Sequence, residues 1–95
     1  MSMILTNKRE MYTVENSTST VRLNGDATID ADKNITSFSG MFIDAVSGES
    51  AGSFNYNENS DKMNISYSGI TISTRQNCED ILESTIAAIK VEVNK

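Results

Sequence analysis

Residues 78–93 read CEDILESTIAAIKVEV, and this stretch decides the fold because its apolar side chains recur at spacings of three and four. That spacing is typical of an α-helix with one apolar face. It predicts a helix over roughly 75–92, with Thr74 or Asn77 able to cap its start. The last five residues, 89–93, also alternate between apolar and charged side chains, so a strand is the alternative for this end.

Upstream of this helix, within roughly 10–73, apolar side chains recur mostly at every second position, which is typical of β-strands. Four clusters of Ser, Asn, Asp or Gly predict the turns between them: 16–18, 30–34, 47–48 and 57–61. Strands joined by short turns pair antiparallel as a meander. We therefore predict a single α+β domain over 1–95, an antiparallel β-meander sheet of about four to six strands with one C-terminal α-helix packed on one face.

Two glycines lie where the alternation is least regular. Gly25 falls inside a long alternating stretch, 19–31, where it predicts a bulge or a bend. At Gly69 the alternation changes phase, since Ile70 and Ile72 take the opposite parity to the residues before it. A bulge at Gly69 or two separate strands would each produce this change.

The segment 35–46 carries apolar side chains on both faces of its predicted strand. Phe38 and Phe42 lie on one face, which we expect to form the core beneath the helix. Met41 and Ile43 lie on the opposite face and are expected to point outward. One helix is a small cover for this many strands, so a second copy of the chain is the expected cover for outward apolar surface.

The other aromatic side chains are assigned mainly to the core. Phe54 and Tyr56 alternate on one face of the next strand, and Tyr67 belongs to a later one. A buried tyrosine needs a polar partner for its hydroxyl, which places the hydroxyls at the rim of the core. The predicted interaction residues are Met41, Ile43, Tyr56 and Tyr67.

The composition excludes several kinds of active site. The chain has no histidine, which excludes histidine-based triads, histidine metal ligands and histidine pH switches. Its one cysteine, Cys78, matches the apolar face of the helix and is expected in the core rather than as a reactive thiolate. The stretch 30–34 opens like a calcium loop, but Ile35 and Met41 stand where that loop needs Gly and Glu. We predict no catalytic residue, no metal site and no cofactor.

The net charge is −5, and the basic residues do not form a stripe. Proteins that bind nucleic acid use such a stripe to neutralise phosphates, so nucleic acid is not an expected partner. The acidic excess over 23–74 is also dilute for a mimic of DNA. No apolar run approaches the ~20 residues of a membrane span, so we expect no membrane partner. In residues 1–9 the basic side chains follow the apolar ones, the reverse of a signal peptide, which favours the cytoplasm.

These observations favour a small non-catalytic protein-interaction module, accessory or inhibitory, that binds a protein partner or associates with itself as a homodimer. Two alternatives stay open. One is a small-ligand-binding domain with a pocket between sheet and helix. The other is a small enzyme that uses carboxylates. The proline-free composition, rich in Asn, Ile and Ser, is typical of an AT-rich microbial or phage genome.

Overall fold

The computed structural model describes residues 10–59 and 61–93. Over these residues the elements are β1 Glu10–Ser17, β2 Val21–Ile29, β3 Ile35–Asp44, β4 Ser50–Asn59, β5 Lys62–Ser68 and α1 Arg75–Val93. The strands form one sheet in the order β1-β2-β3-β4-β5, with every neighbouring pair antiparallel. The predicted α+β class, meander and C-terminal helix are confirmed. The charge order noted for residues 1–9 lies outside the described residues.

The helix is regular to its end. A 3-10 turn, Ile72–Thr74, leads directly into α1, which continues through Val93. The strand alternative for 89–93 is therefore wrong. Asn77 lies inside the helix rather than at its cap, and the Thr74 hydroxyl donates to the Thr71 carbonyl oxygen at 3.3 Å. No helix among the described residues is long and apolar enough to cross a membrane.

The turn predicted at 57–61 is shorter than the sequence indicated, because β4 runs on to Asn59. Its last residues pair with the first residues of β5, with Asn57 opposite Asn64. The Asn64 side-chain amide donates to the Asn57 side-chain oxygen at 3.2 Å. Asn57 and Asn59 thus continue the ladder opposite the polar residues Asn64 and Lys62, which a turn-based prediction does not take into account.

Gly25 marks a close approach between strands and not a bulge. It stands opposite Gly40 in the register, and a Cβ on Gly25 would lie 2.6 Å from the Ser39 carbonyl oxygen. The same Cβ would lie 3.1 Å from the rings of Phe38 and Phe54. The register shifts occur elsewhere, at Thr28/Ile29 and Phe42/Ile43. The glycine is needed because aromatic rings pack over the bare backbone at this point.

Neither alternative for Gly69 is right. Strand β5 ends at Ser68, and Gly69 turns the chain with a φ of 65°. Ile70 then folds back over Gly52, where a Cβ on that glycine would clash with the Ile70 side chain. The change of parity therefore marks the exit from the sheet. The Thr71 amide, which donates to the Ala51 carbonyl oxygen at 3.1 Å, fixes this exit.

The core lies between α1 and one face of the sheet, which we call the inner face. Its largest fully buried side chains come from β2, β3 and α1: Phe38, Phe42, Leu23, Ile35, Ile81, Leu82, Val21 and Cys78. Phe54 packs between two of these rings, with centroids 4.9 Å from Phe38 and 5.1 Å from Phe42. The prediction that the phenylalanines form the core beneath the helix is confirmed.

Candidate interaction surfaces

The four predicted interaction residues lie on opposite faces of the sheet. Met41 and Ile43 lie on the face away from α1, the outer face, where they stand opposite half-buried Asn24 and exposed Arg22 of β2. Tyr56 and Tyr67 lie on the inner face, beneath or beside the helix. The structure therefore does not bring the four together into one surface.

Around Met41 and Ile43 the apolar area of the outer face is small. Met41 is 48% exposed and Ile43 is half-buried. Their cross-strand partners in β4 are Ser53 and Ser50. These two apolar side chains, flanked by polar residues on both neighbouring strands, make a local patch.

Tyr56 offers almost no surface to a partner, because it is 3% exposed. Its hydroxyl donates to Glu58 Oε2 at 2.7 Å. Burial, followed by this hydrogen bond to the carboxylate, raises the pKa of Tyr56. Tyr67 is half-buried, and its ring stacks on Phe42 with centroids 6.3 Å apart. Of the two tyrosines, Tyr67 alone retains accessible surface.

Another uncovered area lies along β5, at one edge of the sheet. Met63 and Ile65 are on the inner face of this strand, opposite Glu58 and Tyr56 of β4. They remain 63% and 39% exposed. A groove of about 420 Å³ runs between β5 and α1. We call it the β5 groove; its lining residues are Tyr56, Met63, Ile65, Tyr67, Gln76, Glu79, Asp80, Glu83 and Ile86.

The helix side of the β5 groove is acidic. Glu79, Asp80 and Glu83 all line it. At one end Glu79 forms an exposed ion pair with Arg75 at 3.7 Å, and Asp80 accepts a hydrogen bond from Gln76 at 3.0 Å. Within the described residues Glu83 has no ion-pair partner. Negative charge thus faces an apolar strand across an open groove.

The carboxylates of this helix wall also change the pKa of a tyrosine on β5. Burial raises the pKa of Tyr67, and the nearby carboxylates of Glu79 and Glu83 raise it further. A negative potential of this kind favours positively charged groups in the same groove.

The opposite edge carries a second groove, of about 400 Å³, between β1 and α1. Its walls include Val14 from the strand with Ile89 and Val93 from the helix. The Asn16 side-chain amide crosses it to donate to Thr85 Oγ1 at 2.9 Å. This β1 groove is less charged than the β5 groove.

The sequence left open a pocket between sheet and helix but did not indicate two grooves at the sheet edges, and the reason for the two grooves is geometric. Five strands spaced ~4.8 Å apart separate β1 from β5 by about 19 Å. A helix with its side chains is only ~10–12 Å wide. One helix therefore covers the central strands and leaves the inner face open at both edges. The numbers of predicted strands and helices are the signal in the sequence that indicates this mismatch of widths.

A polar cluster fastens the helix to the sheet. The Glu58 carboxylate accepts hydrogen bonds from Lys90 Nζ at 2.5 Å, from Tyr56 at 2.7 Å and from the Ile35 amide at 2.8 Å. Burial acts to raise the pKa of Glu58, but the three donors and the positive charge of Lys90 outweigh it and lower that pKa. These groups satisfy one another, as expected of a structural contact.

Two other sequence candidates take the structural roles that were expected. Cys78 is buried, its thiol donates to Thr74 Oγ1 at 3.8 Å, and burial raises its pKa. In the 30–34 turn, Asp30 Oδ1 accepts from the amides of Asp32 and Asn34, both at 2.9 Å. Among residues 10–59 and 61–93 no cluster of acidic or cysteine side chains could hold a metal ion.

Comparison with protein-family models, with curated proteins and with solved structures finds no match to this chain.

Proposed function

We propose that this protein is a non-catalytic interaction module, accessory or inhibitory, that binds a protein partner along an uncovered edge of its sheet. The observation that carries the proposal is the exposure of Met63 and Ile65 on an edge strand beside an open groove. An edge strand presents unpaired backbone groups to another chain. Apolar side chains next to such an edge add affinity when a partner covers them.

The proposal includes no reaction and no cofactor, with neither nucleic acid nor a membrane as partner. Glu58 accepts hydrogen bonds from both Lys90 and Tyr56, so these three ionisable groups bond to one another. The acidic net charge disfavours contact with phosphates. A cytoplasmic location suits a single buried thiol, which needs no oxidising compartment.

Self-association is part of the proposal, with Met41 and Ile43 as the contact between copies. Met41→Asp and Ile43→Asp should then lower the mass measured by light scattering while leaving the circular dichroism spectrum of the monomer unchanged. A monomeric wild-type protein at high concentration contradicts the homodimer. Loss of folding in both variants would show instead that these side chains act in the core.

Crosslinking tests the proposed function directly. A photo-crosslinking amino acid in place of Met63, used in the cells that make the protein, should give a stoichiometric adduct with one protein. The matched control places the same amino acid at Asn55, which is exposed on the outer face of β4. Equal adducts at both positions, or no adduct at either, would contradict binding at this edge.

A second candidate function is the binding of a small apolar ligand in the β1 groove. Its volume of about 400 Å³ falls within the ~300–1,000 Å³ of typical ligand sites. Such a ligand should raise Tm by mass action, and Ala88→Phe, which places a ring in this groove, should abolish the rise. A broad metabolite and sugar screen without any change in Tm contradicts this function.

A further inference from the structure

We infer that the β5 groove binds an extended segment of a partner protein in which every second residue is Arg or Lys. The inference rests on the proposed function and names the chemistry of the partner. Two features of the groove carry it: an open strand edge, and an acidic helix wall facing apolar strand side chains.

The edge can accept another strand along its whole length. β5 has seven residues, Lys62–Ser68, and all seven pair with β4 on one side, from Asn59 opposite Lys62 to Ser53 opposite Ser68. In the described sheet no strand lies on its other side. A segment added there would lie ~4.8 Å beyond β5 and extend the ladder with main-chain hydrogen bonds.

Alternation along the added strand separates its side chains into two sets. One set would lie beside Met63, Ile65 and Tyr67 on the inner face, within the groove. The other would lie beside the short polar side chains of Asn64 and Ser66 on the outer face. Only the inward set meets the helix, so specificity depends on every second residue of the partner.

The inward side chains have to satisfy two neighbours with different chemistry. Close to the strand they meet the exposed thioether of Met63 and the exposed side chain of Ile65. Farther out they meet the carboxylates of the helix wall, above all Glu83. Arg and Lys fit both, because their aliphatic stems cover apolar surface while their charged heads reach carboxylates.

Charge complementarity disfavours two other occupants of the β5 groove, an apolar segment and a second copy of this chain. A purely apolar segment would desolvate the wall carboxylates without pairing them, which is costly. A second copy that offered its own β5 would bring a second acidic wall. A second copy that offered β1 would present Tyr12, Val14 and Asn16 on the inner face, none of them basic.

Peptide binding tests the inference with synthetic probes. The first probe is a capped nine-residue peptide that alternates Thr and Arg, and the second has the same composition with its arginines in one block. Fluorescence anisotropy should show the alternating peptide binding at least about tenfold tighter, a difference of ~1.4 kcal/mol. Equal affinities would mean that charge alone attracts the peptides, which would overturn the inference. Tighter binding of an alternating Thr-Leu peptide would also overturn it.

Protein variants locate the binding. The double variant Glu79→Gln/Glu83→Gln should lower the affinity for the alternating peptide at least about tenfold. The matched control Asp26→Asn/Glu49→Gln removes the same charge from exposed positions away from the groove and should leave affinity nearly unchanged. Equal losses in the two double variants would show that the overall charge, rather than this wall, is responsible.

Backbone methylation tests strand addition. Alternate amides of an added strand point toward β5, and the others point to solvent. N-methylation of one alternate set should therefore abolish binding, while methylation of the other set should preserve it. Two methylated peptides of equal affinity would overturn the strand geometry.

The inference and the proposed function fail in different ways. A stoichiometric adduct at Met63 with no preference for the alternating peptide would retain the function and reject the basic segment. A self-adduct at Met63, with a mass that doubles with concentration, would identify a second copy as the occupant and also reject the basic segment. Absence of both the adduct and the preference would reject function and inference together.

Discussion

Replacing Glu58 by Gln should destabilise the protein by about 2 kcal/mol, because it weakens the cluster that holds α1 to the sheet. In the native structure one carboxylate accepts from Lys90, Tyr56 and the Ile35 amide. A Gln side chain keeps one carbonyl oxygen but turns an N–H₂ group toward the remaining donors. At least one donor in a partly buried site then lacks its acceptor, which costs ~1–3 kcal/mol.

The ion pair itself contributes little to that figure. The Lys90 side chain is 35% exposed and that of Glu58 is 12% exposed, so solvent screens the pair. Pairs of this kind contribute ~0–1 kcal/mol. The expected loss therefore comes mainly from the Tyr56 hydroxyl, which donates to Oε2, whereas Lys90 and the Ile35 amide share Oε1. For a domain of this size it corresponds to a fall in Tm of about 8–16 °C.

The pH dependence gives the sharper test. The native contacts lower the pKa of Glu58 below its ordinary value of 4.5, so folding favours the ionised carboxylate. The stabilisation is complete well above that ordinary value and is lost as the pH falls through the lower native pKa. The difference in the free energy of unfolding between wild type and Glu58→Gln should therefore be large at pH 7 and smaller near pH 3.

Urea unfolding followed by circular dichroism measures this difference at each pH. The control Glu49→Gln removes the same charge from an exposed loop residue and should change the free energy of unfolding by less than ~0.5 kcal/mol. If the Glu58→Gln difference stays constant from pH 7 to pH 3, or matches the control, the cluster does not stabilise the fold as argued.

Three further predictions concern the core and the close contacts around it. Phe38→Ala should lower the free energy of unfolding by ~3–5 kcal/mol, as measured by urea titration, because it removes a fully buried ring that packs edge-on against Phe54. Gly25→Ala should cost ~1–3 kcal/mol in the same assay, because its Cβ would lie 2.6 Å from the Ser39 carbonyl oxygen; an unchanged midpoint would refute this close approach. Cys78 should resist a thiol reagent in the native protein and react within the dead time in denaturing urea, and fast native labelling would contradict its burial.

Local patterns in the sequence were enough to predict the element types and their order. The helix was expected over roughly 75–92 and runs from Arg75 to Val93, because its apolar spacing is unambiguous. The polar side chains of Asn57 and Glu58 predicted a turn, but the sheet continues there. The prediction was wrong because the strand partners of these residues cannot be identified from local sequence. The role of Gly25 likewise depends on rings that arrive from two other strands.

The candidate site was harder to predict because exposure is a property of the assembled layers. Alternation correctly separated Met41 from Phe42, yet it could not show how much of the Met41 and Ile43 side chains stays exposed. The same alternation placed Met63, Ile65 and Tyr67 on one face, and the inner face is normally a buried one. Those side chains are exposed only because the sheet is wider than its single helix.

That mismatch of widths also separates the residues that fold the protein from those proposed to bind a partner. The rings of Phe38, Phe42 and Phe54 lie under the helix, whereas Met63 and Ile65 lie beyond it and contribute little buried area. Glu58 connects the groove to the helix: it stands opposite Met63 in the register, and it also accepts a hydrogen bond from Lys90 of α1. The cluster that fastens the helix therefore lies at the Met63 end of the β5 groove. A partner bound there would pack against a helix that this cluster already holds in place. The entropy cost of ordering the groove is therefore incurred on folding and does not reduce the affinity for the partner.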